Sequence, residues 1–575
     1  MSRSETEPFI IAIDFGTAYS GYAYCMTPQN AEPVPHLRRW GQEQGQETPK
    51  TPTCILFDGN GKFKHFGYEA KHKYLEMEKE EATEHYFFEN FKMELYNKRI
   101  TNDFEIRDVN KKPMNALKVF SAALRFLKDD ALKHVFIHTN GIRYIASDFT
   151  WVLTVPAIWD FSARMFMREA AVQAGIVTPF SGDKLVIALE PEAASVWCKK
   201  LPSDGFITDE HDRNALQQTP GTHYIVVDCG GGTIDITLHK VLEGGAVKEL
   251  HKASGNDKGG QKVNKKFKQS MKEFFCDDLW EEYEKHFSTE VQRFVYDFEI
   301  VKQGQGEARL NCYYNLAGLI EQNQSKNKEL FNDVKGLSWN KGKIIISKDK
   351  MEFFYHESLV HITESLYELL NRHSDVKYIL LVGGFAQSRV LCDHIKKEFS
   401  DQATVLCPKN PQDAILRGAV MFGRDQSVIR TRKSAFTYGL SVSNRFDASK
   451  HKEEKRFTNK EGDWCKDIFS KLVGKDEDVG WNETKEYTFG PIERDQKSMK
   501  LSFYRTERKH VSYVDEWGME GPVASCVVEM PDVKKGMNRT VKLEVFFGST
   551  EMKAKATDVE SGSTASVKID FIRNQ

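Results

Sequence analysis

Two short segments of this chain carry an acid, glycines and a threonine in the same order. Asp14-Phe15-Gly16-Thr17 closes one apolar run, and Asp228-Cys229-Gly230-Gly231-Gly232-Thr233 closes another. An acid at the end of a strand can hold a hydrated Mg²⁺. Glycine lets the backbone approach a phosphate with no Cβ in the way, and threonine adds a hydroxyl donor. Taken alone, Gly16-Thr17 also suits an ordinary hairpin turn. Three successive glycines weaken a purely structural hairpin, so the second segment points to backbone wrapped around phosphates. Two facing hairpins of this type would clamp a polyphosphate tail. A third element, Val382-Gly383-Gly384-Phe385 with Arg389 beyond it, reads as strand, Gly-Gly turn and helix. It suits close approach of a flat adenosine or an anion at the helix start, and equally a plain strand-to-helix turn. No GxxxxGK[ST] occurs, which excludes a P-loop as the nucleotide site.

These residues need strands to hold them. The runs 9–13, 151–155, 185–189, 224–228 and 378–382 are short, apolar and rich in Ile, Val and Leu, the composition of buried strands. Helix-like periodicity alternates with them to about residue 423, which predicts an α/β body. Asp160 to Gly175 is expected to be helical, with Asp160 as cap, Phe161, Met165, Phe166 and Ala170 on one face, and Gly175 as the stop. The polar stretch 201–222 reads as a linker or exposed loop between halves. Beyond residue 435 strict alternation takes over: Met499, Leu501, Phe503; Val541, Leu543, Val545; Met552, Ala554, Ala556; Val567, Ile569, Phe571. That is the pattern of half-buried antiparallel strands. The expected division is 1–427 (two lobes, about 1–220 and 221–427), a linker at 428–435, and a β-rich domain at 436–575.

Composition narrows the function classes. The chain has 575 residues, with 81 Lys+Arg against 83 Asp+Glu for a net charge of -2. Such a balance is not the electrostatic footprint of a nucleic-acid binder, so no nucleic-acid partner is expected. The longest apolar runs are strand-sized, far short of the ~20 residues of a membrane span. No apolar signal segment opens the sequence, and the ten scattered cysteines form no CxxC pair, which predicts free thiols and a cytoplasmic location.

The segments DFGTAYS, TVPAIWDFSAR, ALEPEAAS, VVDCGGGTIDIT, LLVGGFAQSR and NPQDAILRGAV, in this order, resemble the nucleotide-binding body of the 70-kDa heat-shock proteins. That family lies within the actin and sugar-kinase superfamily, and the likeness is greatest to its divergent member-12 branch. The resemblance implies a duplicated actin-like (ribonuclease H-like) ATP-binding domain followed by a smaller, sandwich-like β-domain without a helical lid. It also implies ATP/ADP and Mg²⁺ as cofactors. By this likeness Asp14, Lys92, Glu190, Asp228 and Thr233 are the catalytic group, with Asp14 and Asp228 on the metal side, through waters. Gly16, Thr17, Ala18 and Tyr19 form the first phosphate loop, and Gly230, Gly231, Gly232, Thr233 and Asp235 the second. Glu299 and Lys302 flank the base, while Gly383, Gly384, Phe385 and Arg389 form the adenosine clasp. Ala18 stands where the family usually has threonine, which removes one hydroxyl donor and predicts slow hydrolysis or none. The function so implied is chaperone-like: nucleotide state coupled to protein or peptide clients at 436–575, with nucleotide-exchange or co-chaperone partners. The alternatives are a nucleotide-dependent scaffold with negligible hydrolysis and, from another class, a small-molecule kinase. A kinase would need an aspartate over a substrate hydroxyl, for which the sequence offers no convincing candidate.

Overall fold

The computed structural model describes residues 9–28, 31–45, 47–98, 100–101, 103–179, 181–207, 215–304, 306–324, 330–481, 483–546 and 552–568. Chain contacts divide the protein into two units. The first comprises 1–98, 103–238 and 253–426; the second comprises 99–102, 239–252 and 427–575.

In the first unit the same strand order occurs twice. Phe9–Phe15 pairs antiparallel with Tyr19–Cys25 on one side and parallel with Phe149–Val155 on the other, and Leu185–Leu189 adds parallel beyond that. His223–Cys229 likewise has Ile234–Val241 as one neighbour and Val376–Val382, parallel, as the other, with Thr404–Leu406 parallel beyond. In both sheets the central strands are buried on both faces, as their unbroken apolar runs require. Each glycine segment singled out above therefore lies at the carboxyl end of a central strand, where α/β folds place ligands.

The helix over Phe161–Gln173 begins as expected, its Ala163 N–H donating to Asp160 Oδ1 at 2.9 Å, and Gly175 closes it at φ 73°. Met165, Phe166 and Ala170 are buried beneath it. A smaller sheet, Phe63–Phe66, Cys54–Phe57 and Tyr86–Glu89, carries its own core, in which Tyr74 stacks on Phe87 at 4.1 Å. Part of the phenylalanine content forms a chain through the interior. Phe15 meets Phe91 at 5.9 Å, Phe91 meets Phe120 at 5.0 Å, and Phe120 meets Phe166 at 5.1 Å. This chain ties the first strand to the turn after Tyr86–Glu89. Of the polar stretch 201–222, residues 208–214 lie outside the described residues.

The second unit is built almost wholly of strands. One sheet runs Arg456–Asn459, Gly462–Val473, Thr437–Arg445, Ser498–Thr506, Met519–Glu529; another runs Thr484–Phe489, Val541–Phe546, Lys553–Asp558, Thr564–Lys568. Burial alternates as the sequence does: Leu501, Phe503, Val541, Leu543, Val545, Ala554 and Ala556 point inward. Ile569 and Phe571 fall outside the described residues.

The stretch 428–435 differs from a linker. Ile429–Lys433 is a strand, with Ile429 and Thr431 paired in parallel to Val247 and Lys248 and its other edge antiparallel to Asp478–Gly480. Its basic character is answered locally. Lys433 Nζ meets Asp478 Oδ1 at 2.6 Å, its N–H donates to Glu249 Oε2 at 2.9 Å, and Lys248 also pairs with Asp478. Among the described residues no helix is long and apolar enough to cross a membrane.

Candidate nucleotide site

A cleft of about 540 Å³ in the first unit collects most of the residues singled out by sequence. Its lining includes Asp14, Gly16, Thr17, Ala18, Tyr19, Lys92, Glu190, Asp228, Gly230, Gly231, Gly232, Thr233, Glu299, Lys302, Gly383, Gly384 and Phe385. Asp235 and Arg389 are not among the lining residues. Asp235 Oδ1 instead accepts the Ile158 N–H at 2.8 Å, fixing the loop after Phe149–Val155. Arg389 opens the helix Arg389–Phe399.

The two phosphate-loop candidates face one another. A Cβ added to Gly231 would fall 2.7 Å from that of Ala18, and one on Gly232 would fall 2.5 Å from Thr17 Oγ1. Only glycine backbone permits this approach. From behind, the N–H groups of Gly260 and Gln261 donate to the carbonyls of Gly230 and Gly231 at 3.1 and 2.8 Å, so the start of the helix Gly260–Phe274 braces the second loop. The third glycine element closes on the same point. Gly383 sits at φ 88°, and a Cβ there would lie 2.4 Å from Asp228 Oδ1.

Charged groups at the floor are paired with one exception. Lys92 follows the left-handed Asn90 in a short turn, Phe91–Leu95, and its Nζ donates to Glu190 Oε1 at 2.6 Å. The ammonium also lies 5.1 Å from the centre of the Trp159 ring. Burial, only partly offset by Lys92, pushes the Glu190 carboxyl up to about 7. Asp14 Oδ1 accepts from Thr154 Oγ1 at 2.9 Å, and its Oδ2 from Lys50 Nζ at 2.5 Å. Both oxygens of Asp228 are buried without a hydrogen-bond partner. Burial, with Glu190, Asp235 and Asp14 nearby, holds that carboxyl well above the usual carboxylate range.

At the other end a polar network surrounds the predicted base-flanking pair. Glu299 Oε1 accepts from Asn264 Nδ2 at 2.7 Å and Gln261 Nε2 at 3.2 Å, and Lys302 Nζ donates to Asn264 Oδ1 at 2.6 Å. Burial alone would raise the Glu299 carboxyl, but Lys71 and Lys302 outweigh it and hold it below its ordinary value. Phe385 stacks on Tyr355, with ring centres 5.6 Å apart and planes at 16°, forming a flat apolar wall. A planar base suits such a wall.

Sequence reading missed Lys50, Gln261, Asn264 and Tyr355. Lys50 sits in Thr48-Pro49-Lys50-Thr51-Pro52, a turn-like run with no periodic signal. Gln261 and Asn264 belong to a basic helix whose charge pattern reads as a solvated face.

Relatives extend along the whole length. Heat shock 70 kDa protein 12A of Mus musculus is 32% identical, with 100% of this chain and 93% of the relative covered. Heat shock 70 kDa protein 12B of Homo sapiens is 31% identical over 98% of this chain and 91% of its own length. The chain belongs to the 70-kDa heat-shock protein family, in its member-12 branch. Membership implies the actin-like ATPase fold, in keeping with the repeated strand order of the first unit. A more distant relative, the Chaperone protein HscA homolog of Acinetobacter baumannii, is 23% identical over 55% of this chain and 42% of its own length. No protein-family model matches the chain.

The family generally uses Mg²⁺ with its nucleotide. Sequence reading places an ion between Asp14 and Asp228 through waters. Both Asp228 oxygens lack a hydrogen-bond partner, but each Asp14 oxygen already accepts a bond, and the Lys50 ammonium on Oδ2 sets a like charge where a water-held cation would approach. The donor set does not fit that shared ion, and no step below runs through it.

Proposed function

We propose that the first unit binds ATP and ADP and hydrolyses ATP slowly, in a chaperone-like protein whose second unit engages protein or peptide clients. The meeting of three glycine elements along residues 228–232 carries this reading, since close-packed backbone with two ammonium groups suits a polyphosphate and little else. Thr17 and Thr233 supply hydroxyl donors, Lys50 and Lys92 positive charge, and the Tyr355–Phe385 wall a surface for the base. In hydrolysis a water attacks the γ-phosphorus, the bond to the β-bridging oxygen breaks, and the water's proton passes to Glu190 or to phosphate. Alignment and charge neutralisation dominate such a reaction. The strand-dominated build of the second unit supports the client reading, and exchange-factor or co-chaperone partners and a cytoplasmic setting accompany it.

One observation favours the scaffold alternative. Ala18 presents a methyl to Gly231 where a hydroxyl would reach phosphate, so nucleotide retention without turnover is the second reading. Single-turnover release of γ-labelled phosphate by the full chain, with Asp228→Asn as blank, separates the two. Slow release absent from the blank supports the ATPase. Retention without release supports the scaffold, and equal nucleotide retention by wild type and Asp228→Asn overturns the site assignment.

A further inference from the structure

Lys50 is bonded to a carboxylate that sequence reading set on the metal side. Its ammonium contacts Asp14 at 2.5 Å, with the lysine side chain 8% exposed and the aspartate side chain 2%. The stem is fixed as firmly as the head. A Cβ on Gly21 would lie 3.1 Å from Lys50 Cγ, so the lysine runs against the second strand of the first hairpin. Next door, Thr51 and Pro52 pair with Ser20 and Tyr19, and the Lys50 carbonyl accepts from Thr48 Oγ1 at 2.8 Å.

We propose that Lys50 is the resident cation of the phosphate site, so that a nucleoside polyphosphate binds as the free anion rather than as its magnesium complex. The inference rests on the nucleotide reading above. An ammonium has three donors, of which Asp14 takes one, leaving the others for phosphate oxygens. Lys50 and Lys92 together bring two positive charges into the cleft, as many as one Mg²⁺, and they need no octahedral water shell. A water-held cation beside Asp14 would face the Lys50 ammonium, a like charge in a buried site.

Calorimetric titration of the full chain with ADP and with ATP, in excess EDTA and in excess Mg²⁺, tests this. Wild-type dissociation constants should agree within about threefold between the two buffers, less than 1 kcal/mol apart. Lys50→Met should weaken binding about tenfold or more in EDTA and less in Mg²⁺, because loss of the lysine frees Asp14 for the metal. Lys50→Arg, which keeps the charge, should stay near wild type in EDTA. A wild-type affinity that falls about a hundredfold in EDTA overturns the proposal. An unchanged EDTA affinity in a folded Lys50→Met overturns it as well. If Lys50→Met does not fold, the wild-type comparison decides alone. Absence of binding in both buffers removes the nucleotide reading itself, and this proposal with it.

Discussion

Gly418 lies where the helix Asp413–Arg424 crosses the helix Glu190–Cys198, and replacing it with alanine should split the two. A Cβ at this position would stand 1.6 Å from the Ala193 carbonyl oxygen and 2.5 Å from its carbon. Carbon and oxygen rest at about 3.3 Å or more, so the helices would have to part by roughly 1.7 Å. The obstacle is backbone, and no rotamer relieves it. Parting would loosen Ala414, Leu416 and Ala419, all fully buried on the same helix. Overpacking of this kind costs about 1–3 kcal/mol, occasionally more, and the helix preference of alanine returns only about 0.5–1. We expect a net loss of about 2 kcal/mol, or roughly 0.7 M in urea midpoint for a slope near 3 kcal/mol/M. Gly318 is the control. It sits inside the helix Tyr314–Gln324 with nothing within 4 Å of an added Cβ. There the same substitution should stabilise by about 0.5 kcal/mol. Urea unfolding followed by circular dichroism reads both variants. Equal shifts in the two, or a Gly418→Ala variant as stable as wild type, would refute the close crossing. Because Ala193 is one turn from Glu190, Gly418→Ala should also weaken nucleotide binding, whereas Gly318→Ala should not.

Gly383→Ala combines a left-handed φ with a Cβ 2.4 Å from Asp228 Oδ1, so nucleotide titration should show binding lost, together with about 1–3 kcal/mol of stability. Glu190 and Asp235 both sit above their ordinary values of 4.5 and 3.8, burial pushing them up to about 7 and about 6. Both groups therefore hold protons in the native state that the unfolded chain has released. Their contribution is fully present below about pH 4 and is lost as pH rises through 6 to 7, with a slope of up to roughly 1.4 kcal/mol per pH unit for each. Thermal melts of the nucleotide-free protein should fall across that window, and Glu190→Gln should flatten the fall. If Glu190 takes the proton in hydrolysis, single-turnover rates should rise with pH through about 7, and Glu190→Gln should abolish the rise. Asp478→Ala removes the partner of Lys248 and Lys433. These side chains are 22–38% exposed, so denaturant titration should show a loss of at most about 1 kcal/mol that shrinks in high salt.

Where one short segment supplied both strand and chemistry, the sequence was legible. Asp14, Asp228 and Gly383 each end an apolar run, so the strand placed the residue and the glycine declared the close approach. Lys92 and Glu190 were reached through family likeness, and their pairing depends on a turn and a helix start that lie 98 residues apart. Lys50 carried no local sign. Its role comes from a turn laid against the first hairpin, a tertiary fact that neither periodicity nor motif encodes. Ile429–Lys433 was hidden for a related reason: the strands it pairs with, at Val247 and Asp478–Gly480, are distant in sequence.

The pairing of Ile429–Lys433 with Val247 and Lys248 sets a timetable for synthesis. The ribosome delivers Val247 some 180 residues before its partner Ile429. At about 5–20 residues per second, one edge of that earlier strand stands open for roughly 10–35 s. An unpaired edge is a template for any other extended chain. A ribosome stalled before residue 429 would release a product with that edge still bare.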